Sequence, residues 1–327
     1  LRVLNQNSIS AKVDLSRDLK LAISEFSLPG NVVANGKIWQ SKYLNTVPNR
    51  TWPVYKYYHC PKCHHISPTN EATPLGQSYE EEIKNCPYCS NTMTPKEFLI
   101  PIYGFSTSIE DTPIAVGRNR PRRGFSNRIK FWGIGALDDY LKKQRKNRQI
   151  QFKQKLVKAE YSPQGVLIIL NNGNKHRGFW VCDYCGFMAE FPTNKGHKDK
   201  FGNPCKQKKL KNVSLGHKFS TDILQIVFPA YQQVNDLYPG KNLELSLLYA
   251  MLNGASNELG IARNEINGCV DIEHGDKSLI LFDETPGGAG HMKKIFDKFE
   301  EVLIASLHRV NGDCGCSAET SCYGCLR

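Results

Sequence analysis

The chain has 327 residues, 40% of them hydrophobic and 23% charged, with a formal net charge of +12. This is ordinary for a soluble globular protein and long enough for two or three domains with real cores. No apolar run approaches the roughly 20 residues of a membrane span and no signal peptide is visible, so a cytoplasmic protein without a membrane partner is expected.

In chain order, Leu15, Leu19, Ala22, Ile23 and Phe26 fall at helical spacing and predict a helix over 12–28, stopped by Pro29-Gly30. Short strands are expected at 31–33 and 37–39 around Asn35-Gly36, and at 54–58. Phe98–Phe105 reads as one strand, and 106–128 as an extended arginine-rich loop. Val166–Leu170 reads as a strand whose hairpin partner is Gly178–Val181. A strand is expected over 219–228, a helix over 242–259, a strand at Leu279–Phe282, and a helix from about 290 to 309. The fold class expected is α+β and multidomain: zinc-ribbon modules between mixed α/β segments, and a C-terminal α/β domain closed by a four-cysteine zinc knot. The expected divisions are 1–58, 59–105, 106–175, 176–212 and 213–327. Leu1 in place of an initiator methionine points to a fragment of a longer protein, or to a start lost to disorder or processing.

Eleven of the twelve cysteines sort into three clusters. Cys60-x2-Cys63 is answered by Cys86-x2-Cys89, a zinc ribbon. Two-residue gaps let both sulfurs of a pair reach one tetrahedral ion, and a second pair completes the shell. His59, His64 and His65 crowd the first knuckle but are not needed as ligands. Cys182-x2-Cys185 with Cys205 needs a fourth ligand, and His197 is favoured over His217 and His176 because it lies inside the loop. Cys314, Cys316, Cys322 and Cys325 share twelve residues, too few to build an apolar core, so a metal is the natural organiser. Three structural zinc ions are therefore expected, in a reducing compartment. Eleven thiolates and three divalent ions would bring the net charge to about +7, still basic enough to favour a polyanion, most plausibly nucleic acid. Cys269 stands outside the scheme as a buried, inert thiol.

Catalytic motifs are not found. Gly30 to Ile38 resembles a phosphate loop but has one residue too many and Ile where a hydroxyl is needed. His291-Met-Lys293 to Asp297 is one residue short of a phospholipase D-like nuclease motif, and on a helix that turns Asp297 away by about 100°. Asp283-Glu284 before Pro286-Gly287-Gly288-Ala289-Gly290 reads as a tight strand-to-helix turn whose carboxylates cap amides.

Leu281-Phe-Asp283-Glu-Thr-Pro-Gly287-Gly288-Ala-Gly290, a helix and then Cys314-x-Cys316-x5-Cys322-x2-Cys325 resemble the MrfA-type zinc-binding domain of superfamily-two DNA helicases and related phage-defence proteins. Leu215-Gly216-His217-Lys218-Phe219-Ser-Thr221-Asp222 looks like the segment opening that domain. Leu19 to Gly30 and the ribbon resemble what lies between motor lobes and this domain in large helicases. The resemblance implies a helicase or helicase partner that translocates on DNA, with motor lobes in cis or in trans and no catalytic residue in this chain. It also implies a setting in antiviral defence of the DISARM or Druantia kind, with a defence-complex partner protein, or in DNA repair.

The function expected is a zinc-binding, DNA-binding accessory region of an ATP-dependent helicase, not an enzyme by itself. Candidate phosphate contacts are Arg118, Arg120, Arg122, Arg123, Arg128, Lys142, Lys143, Arg145, Lys146 and Arg148, with Phe125, Phe131 and Trp132 placed to stack unpaired bases. The competing readings are a platform docking a helicase to a partner protein, and a metal-dependent nuclease resting on Asp283 and Glu284.

Overall fold

The computed structural model describes residues 15–63, 65–74, 84–112, 114–117, 121–122, 124–125, 127–193, 196–229, 243–273 and 276–311. Among these, the architecture is α+β: one 11-stranded sheet with two small sheets and a few helices around it.

Two strands of 17 residues each, β11 (Lys155–Asn171) and β14 (Lys211–Val227), form the spine. They run antiparallel from Lys158↔Val227 to Asn171↔Leu215. Beyond β11, β10 (Lys146–Phe152) and β9 (Arg128–Ile134) take successive halves of its free edge. The β10–β11 hairpin turns on Lys153 and Gln154, both at positive φ (48° and 64°), as a two-residue turn matched to strand twist requires.

The other edge of β14 is shared by three partners. Lys211–Val213 pairs with β12 (Phe179–Val181), Ser214 and Leu215 pair parallel with β6 (Thr94–Leu99), and Ile223–Val227 pairs with β16 (Asp276–Asp283). β6 continues through β4 (Pro53–His59) to β5 (Ile66–Pro74); β12 continues to β13 (Met188–Ala189); β16 continues to β15 (Ile266–Glu273). One strand thus connects three segments that are distant in sequence. The spine bulges between Ser162 and Gly165, where a Cβ on Gly165 would lie 2.1 Å from Ile223 Cγ2, so only glycine lets the strands meet there.

Several expectations change. The hairpin partner proposed for Gly178–Val181 was Val166–Leu170; β12 instead pairs with β13 and β14, because β11 has both edges filled by β9, β10 and β14. The first helix, α1, is only Leu19–Glu25: Asp18 accepts from the Lys20 amide at 2.8 Å and fixes its start, and residues 15–18 are not helical. Phe98–Phe105 is not one strand. β6 ends at Leu99, Pro101 cannot donate to a ladder, and a turn closed by Gly104 N to Pro101 O (2.9 Å) leads to β7 (Phe105–Ser106), which pairs with β3 (Tyr43–Leu44). A short helix α2 (Asp139–Gln144) precedes β10, and helix α3 spans Leu243–Leu259.

The helix expected over 290–309 is two, α4 (His291–Asp297) and α5 (Phe299–Asn311), hinged at Lys298 (φ −109°, ψ 39°). Lys298 still donates to Lys294 O at 3.0 Å and Val302 to Lys298 O at 3.1 Å, so the axis bends without loss of the ladder. Helices α3, α4 and α5 cover one part of the sheet through Leu248, Met251, Ile295, Phe296, Phe299 and Val302, all buried with Leu224, Ile226 and Leu281. The principal core lies elsewhere, between α1, β3, β12 and the middle of the spine, around Phe26, Leu44, Leu167, Phe179 and Phe282. No helix among the described residues is long and apolar enough to cross a membrane.

Candidate metal centres

The first cysteine set sits where β4 ends and β6 begins. Each pair lies on a tight knuckle: Cys60 N donates to His65 O (2.9 Å), and Cys86 N to Asn91 O (2.8 Å). The two knuckles bring the donor atoms of Cys60, Cys63, Cys86 and Cys89 within 4.8 Å of one another. Cys60 Sγ is 3.4 Å from Cys89 Sγ, and Cys63 Sγ is 3.5 Å from Cys86 Sγ. These separations are far beyond a disulfide bond of about 2.05 Å. They approach the edge of about 3.8 Å for a tetrahedron with zinc–sulfur bonds near 2.3 Å. Burial works against ionising Cys60, yet the amides of Cys63 and Lys62 and the Cys89 thiol bring it down to about 6. A thiolate is the ligand form a metal needs. Of the neighbouring histidines, His65 packs edge-on to Tyr88 (4.5 Å), and His64 lies outside the described residues.

The second set is built differently. Cys182 and Cys185 follow β12, closed by Cys182 N to Phe187 O (2.9 Å) and Gly186 N to Cys182 O (3.0 Å). Cys205 N donates to His197 O at 2.9 Å, which pins the returning loop beside the knuckle. The donor atoms of Cys182, Cys185, His197 and Cys205 lie within 4.8 Å of one another, with Cys185 Sγ 3.2 Å from His197 Nε2 and Cys182 Sγ 3.9 Å from Cys205 Sγ. The histidine ring is buried and stacked on Phe187 (4.8 Å, 17°). His217 instead stacks on Phe219, and His176 meets Arg128 at 3.0 Å. The hydrogen bond with the Cys185 thiol, opposed by burial and helped by the amides of Cys185 and Tyr184, lowers Cys182 to about 5.

This knuckle is fixed to the core. Leu44 N donates to Gly186 O and Met188 N to Lys42 O, both at 2.8 Å, and the Tyr43 ring meets Phe187 at 5.7 Å. A Cβ on Gly186, which has φ +77°, would lie 1.9 Å from Leu44 O.

The third set, Cys314, Cys316, Cys322 and Cys325, lies outside the described residues. The segment leading to it is described. Residues 247–326 match the family model of the MrfA Zn-binding domain. The C-terminal segment is an MrfA-type zinc-binding domain. The match takes in α3 from residue 247 onward, β15, β16, α4, α5 and all four of these cysteines. No curated protein matches the chain. Among solved structures, it is similar to the DUF1998 helicase MrfA bound to DNA (12% identity, TM-score 0.35, 62% of this chain and 22% of that one). It is also similar to MrfA bound to DNA and AMPPNP (9% identity, TM-score 0.37, 99% of this chain and 29% of that one). The chain therefore spans less than a third of the length of these helicases.

In the MrfA-type domain the Asp283 turn caps a helix. Asp283 Oδ2 accepts from Ala289 N (2.6 Å) and His291 N (3.2 Å), and Glu284 accepts from Asn267 Nδ2 (2.6 Å) and pairs with Lys20. Asp222 packs against this turn, accepting from Tyr161 Oη at 3.3 Å, with Gly288 against its carboxylate. Burial, and then the charge of Asp283, raises the Asp222 pKa above its usual 3.8. The folded state therefore holds this proton more tightly than the unfolded chain, so stability falls as pH rises from about 3.8 through the raised value and then levels off. Asp222→Asn should flatten that decline in urea-unfolding titrations between pH 4 and 7. An unchanged pH slope would place the titration on another group. Cys269, on β15, is buried, and burial with the Asp271 charge pushes its thiol up to about 12, as suits an inert thiol.

The basic residues fare unevenly. Arg118, Arg120 and Arg123 lie outside the described residues. Arg122 and Arg128 are exposed, the latter against His176. Lys142 pairs with Asp139 (3.2 Å), Arg145 with Glu160, and Lys146 with Asp297 (3.3 Å), while Arg148 donates to Phe296 O (2.9 Å); Lys143 is exposed. Much of this run thus ties β10 to β11 and α4. Lys142, Arg145, Lys146 and Asn147, with Glu160, still line an open notch of 350 Å³. Trp132 is not available for base stacking. Its ring is buried among Tyr55, Tyr57 and Phe98 with centroids 5.6–6.5 Å away, because β9 packs its apolar side into the sheet. Phe125 and Phe131 are half-buried against the principal core.

Sequence reasoning missed a different aromatic surface: Tyr184, between the two cysteines of the second knuckle, and Phe201 are 62% and 57% exposed. The signal was present, since a side chain between paired ligands on a tight knuckle has little core to enter.

Proposed function

We propose that this chain is the zinc-bearing, DNA-binding accessory region of an ATP-dependent helicase, with the motor lobes in cis or in trans. The MrfA Zn-binding domain match at 247–326 is the observation that carries this reading. Three structural zinc ions would be held by Cys60, Cys63, Cys86 and Cys89; by Cys182, Cys185, His197 and Cys205; and by Cys314, Cys316, Cys322 and Cys325. Each set offers four protein ligands, which speaks for structural rather than catalytic metal. Thiols held for metal suit the reducing cytoplasm. The net basic charge and the notch at Lys142, Arg145 and Lys146 support a phosphate-backbone contact without sequence reading. Antiviral defence and DNA repair are the cellular settings this proposal favours.

The test is equilibrium binding of the chain to labelled DNA from 50 to 300 mM salt. Affinity for duplex should fall steeply, by roughly a hundredfold or more across that range if three or four phosphates are contacted. Salt-independent binding, or none at 50 mM, would overturn the proposal. Charge reversal at Lys142, Lys143, Arg145 and Lys146 separates it from the platform reading: loss of a motor partner with DNA affinity intact would favour protein docking.

A further inference from the structure

We infer that the cleft beside the second metal centre receives an unpaired base of a single-stranded nucleic acid. The inference rests on the nucleic-acid reading above and deepens it by naming a site. The cleft has a volume of 520 Å³ and is lined by the loop Thr46–Trp52, the knuckle residues Asp183–Cys185, and Asp199–Phe201. A nucleobase needs flat apolar faces to stack on, cations for its phosphate, and walls that do not repel it. This cleft has each of them.

Tyr184 and Phe201 supply the faces. Both are large aromatic rings left 62% and 57% exposed beside the small buried cluster of Cys182, Cys185 and Leu210. Both sit on tight turns: Tyr184 stands between two metal-ready cysteines, and the Phe201 amide donates to Asp199 Oδ1 at 2.9 Å. An aromatic side chain has few rotatable bonds, so it loses little entropy on stacking. The floor is Trp52, 4% exposed and held by Nε1 to Asn45 O at 3.0 Å.

The cations are Arg50, exposed on the loop, and Lys200, whose Nζ donates to Asn45 Oδ1 at 3.2 Å and lies 5.5 Å from the Phe201 ring centroid. Exposed Lys206, Lys208 and Lys209 follow on the same module. The two acids lining the cleft are already engaged. Asp183 pairs with Lys211 (2.8 Å), and Asp199 accepts from the amides of Phe201 and Asn203 (both 2.9 Å).

The experiment measures affinity of the whole chain for labelled strands of about 15 nucleotides: oligo-dT, oligo-rU, an abasic strand of equal phosphate number, and a DNA duplex. Tyr184→Ala and Phe201→Ala should each weaken binding of oligo-dT or oligo-rU about tenfold, with little effect on the abasic strand or the duplex. The DNA and RNA arms tell which strand is the natural source. Tyr184→Phe, which keeps the ring, should bind as the original chain does. Because Tyr184 neighbours two metal ligands, zinc content and thermal unfolding are recorded for every variant, and Phe201→Ala stands alone if Tyr184→Ala loses its metal. Normal binding of strands by both alanine variants would overturn the cleft and leave the DNA-binding proposal intact. Equal losses on the abasic strand and duplex would also overturn it. Failure of the original chain to bind any strand at 50 mM salt would overturn the broader reading itself.

Discussion

Cys182→Ser will release one zinc ion per chain and destabilise the protein by roughly 4 kcal/mol or more, whereas Cys60→Ser will release one ion with a smaller, more local loss. Structural zinc contributes folding free energy outright, since the unfolded chain offers no preformed site. The two sites differ in what depends on them. The first closes over a small apolar group, Cys60, Cys86 and Met93, at the end of β4–β6. The second holds the knuckle whose flanking residues Phe179, Val181 and Met188 are part of the principal core, and whose Gly186 bonds to Leu44. Losing that ion frees the knuckle and opens the core beside it. Elemental analysis together with calorimetry checks both statements. Retention of all zinc by Cys182→Ser, or equal melting temperatures for the two variants, would refute the difference drawn between them.

Trp132→Ala will cost about 3–5 kcal/mol of stability while leaving nucleic-acid affinity of the folded fraction unchanged. The ring fills space among Tyr55, Tyr57 and Phe98, and Lys218 lies over both Tyr55 (4.9 Å) and Trp132 (5.8 Å). Removing it leaves a cavity bounded by β4, β6 and β9 and strips one ring from that cation. Urea unfolding gives the stability term, and oligonucleotide titration below the transition gives the affinity. A loss of affinity at unchanged stability would return Trp132 to the binding surface.

The metal-ready sets and the segments of strong local period were legible before any fold was known. Two cysteines separated by two residues can share one ion whatever surrounds them. Leu243–Leu259 carries its apolar stripe within its own sequence, and the Asn35-Gly36 turn carries its positive φ in its own residue types. Asp283 was readable as a cap for the same reason, since the amides that donate to it lie within eight residues.

What lay beyond reach depends on partners far along the chain. That β11 and β14 run 17 residues, that β12 joins β14 rather than β11, and that β14 carries three partners along one edge follow from which edges remain free. Local propensity cannot show this, because strand pairing is stabilised across the ladder and not along it. The basic run at 142–148 likewise finds its intrachain partners far along the chain, Arg145 at Glu160, Lys146 at Asp297 and Arg148 at the Phe296 carbonyl. Trp132 entered the core because β9 pairs with Val166–Leu170 and turns that face inward.

By itself, then, the sequence determined the sets of soft ligands, the turn chemistry and the periodic helices, since each is a short-range property of residue type and spacing. The tertiary structure decided which histidine meets the second thiol set, which cations stay open, and which aromatic rings face solvent. Those outcomes depend on contacts between residues tens to hundreds of positions apart, where the free energy of burial and pairing outweighs anything written locally.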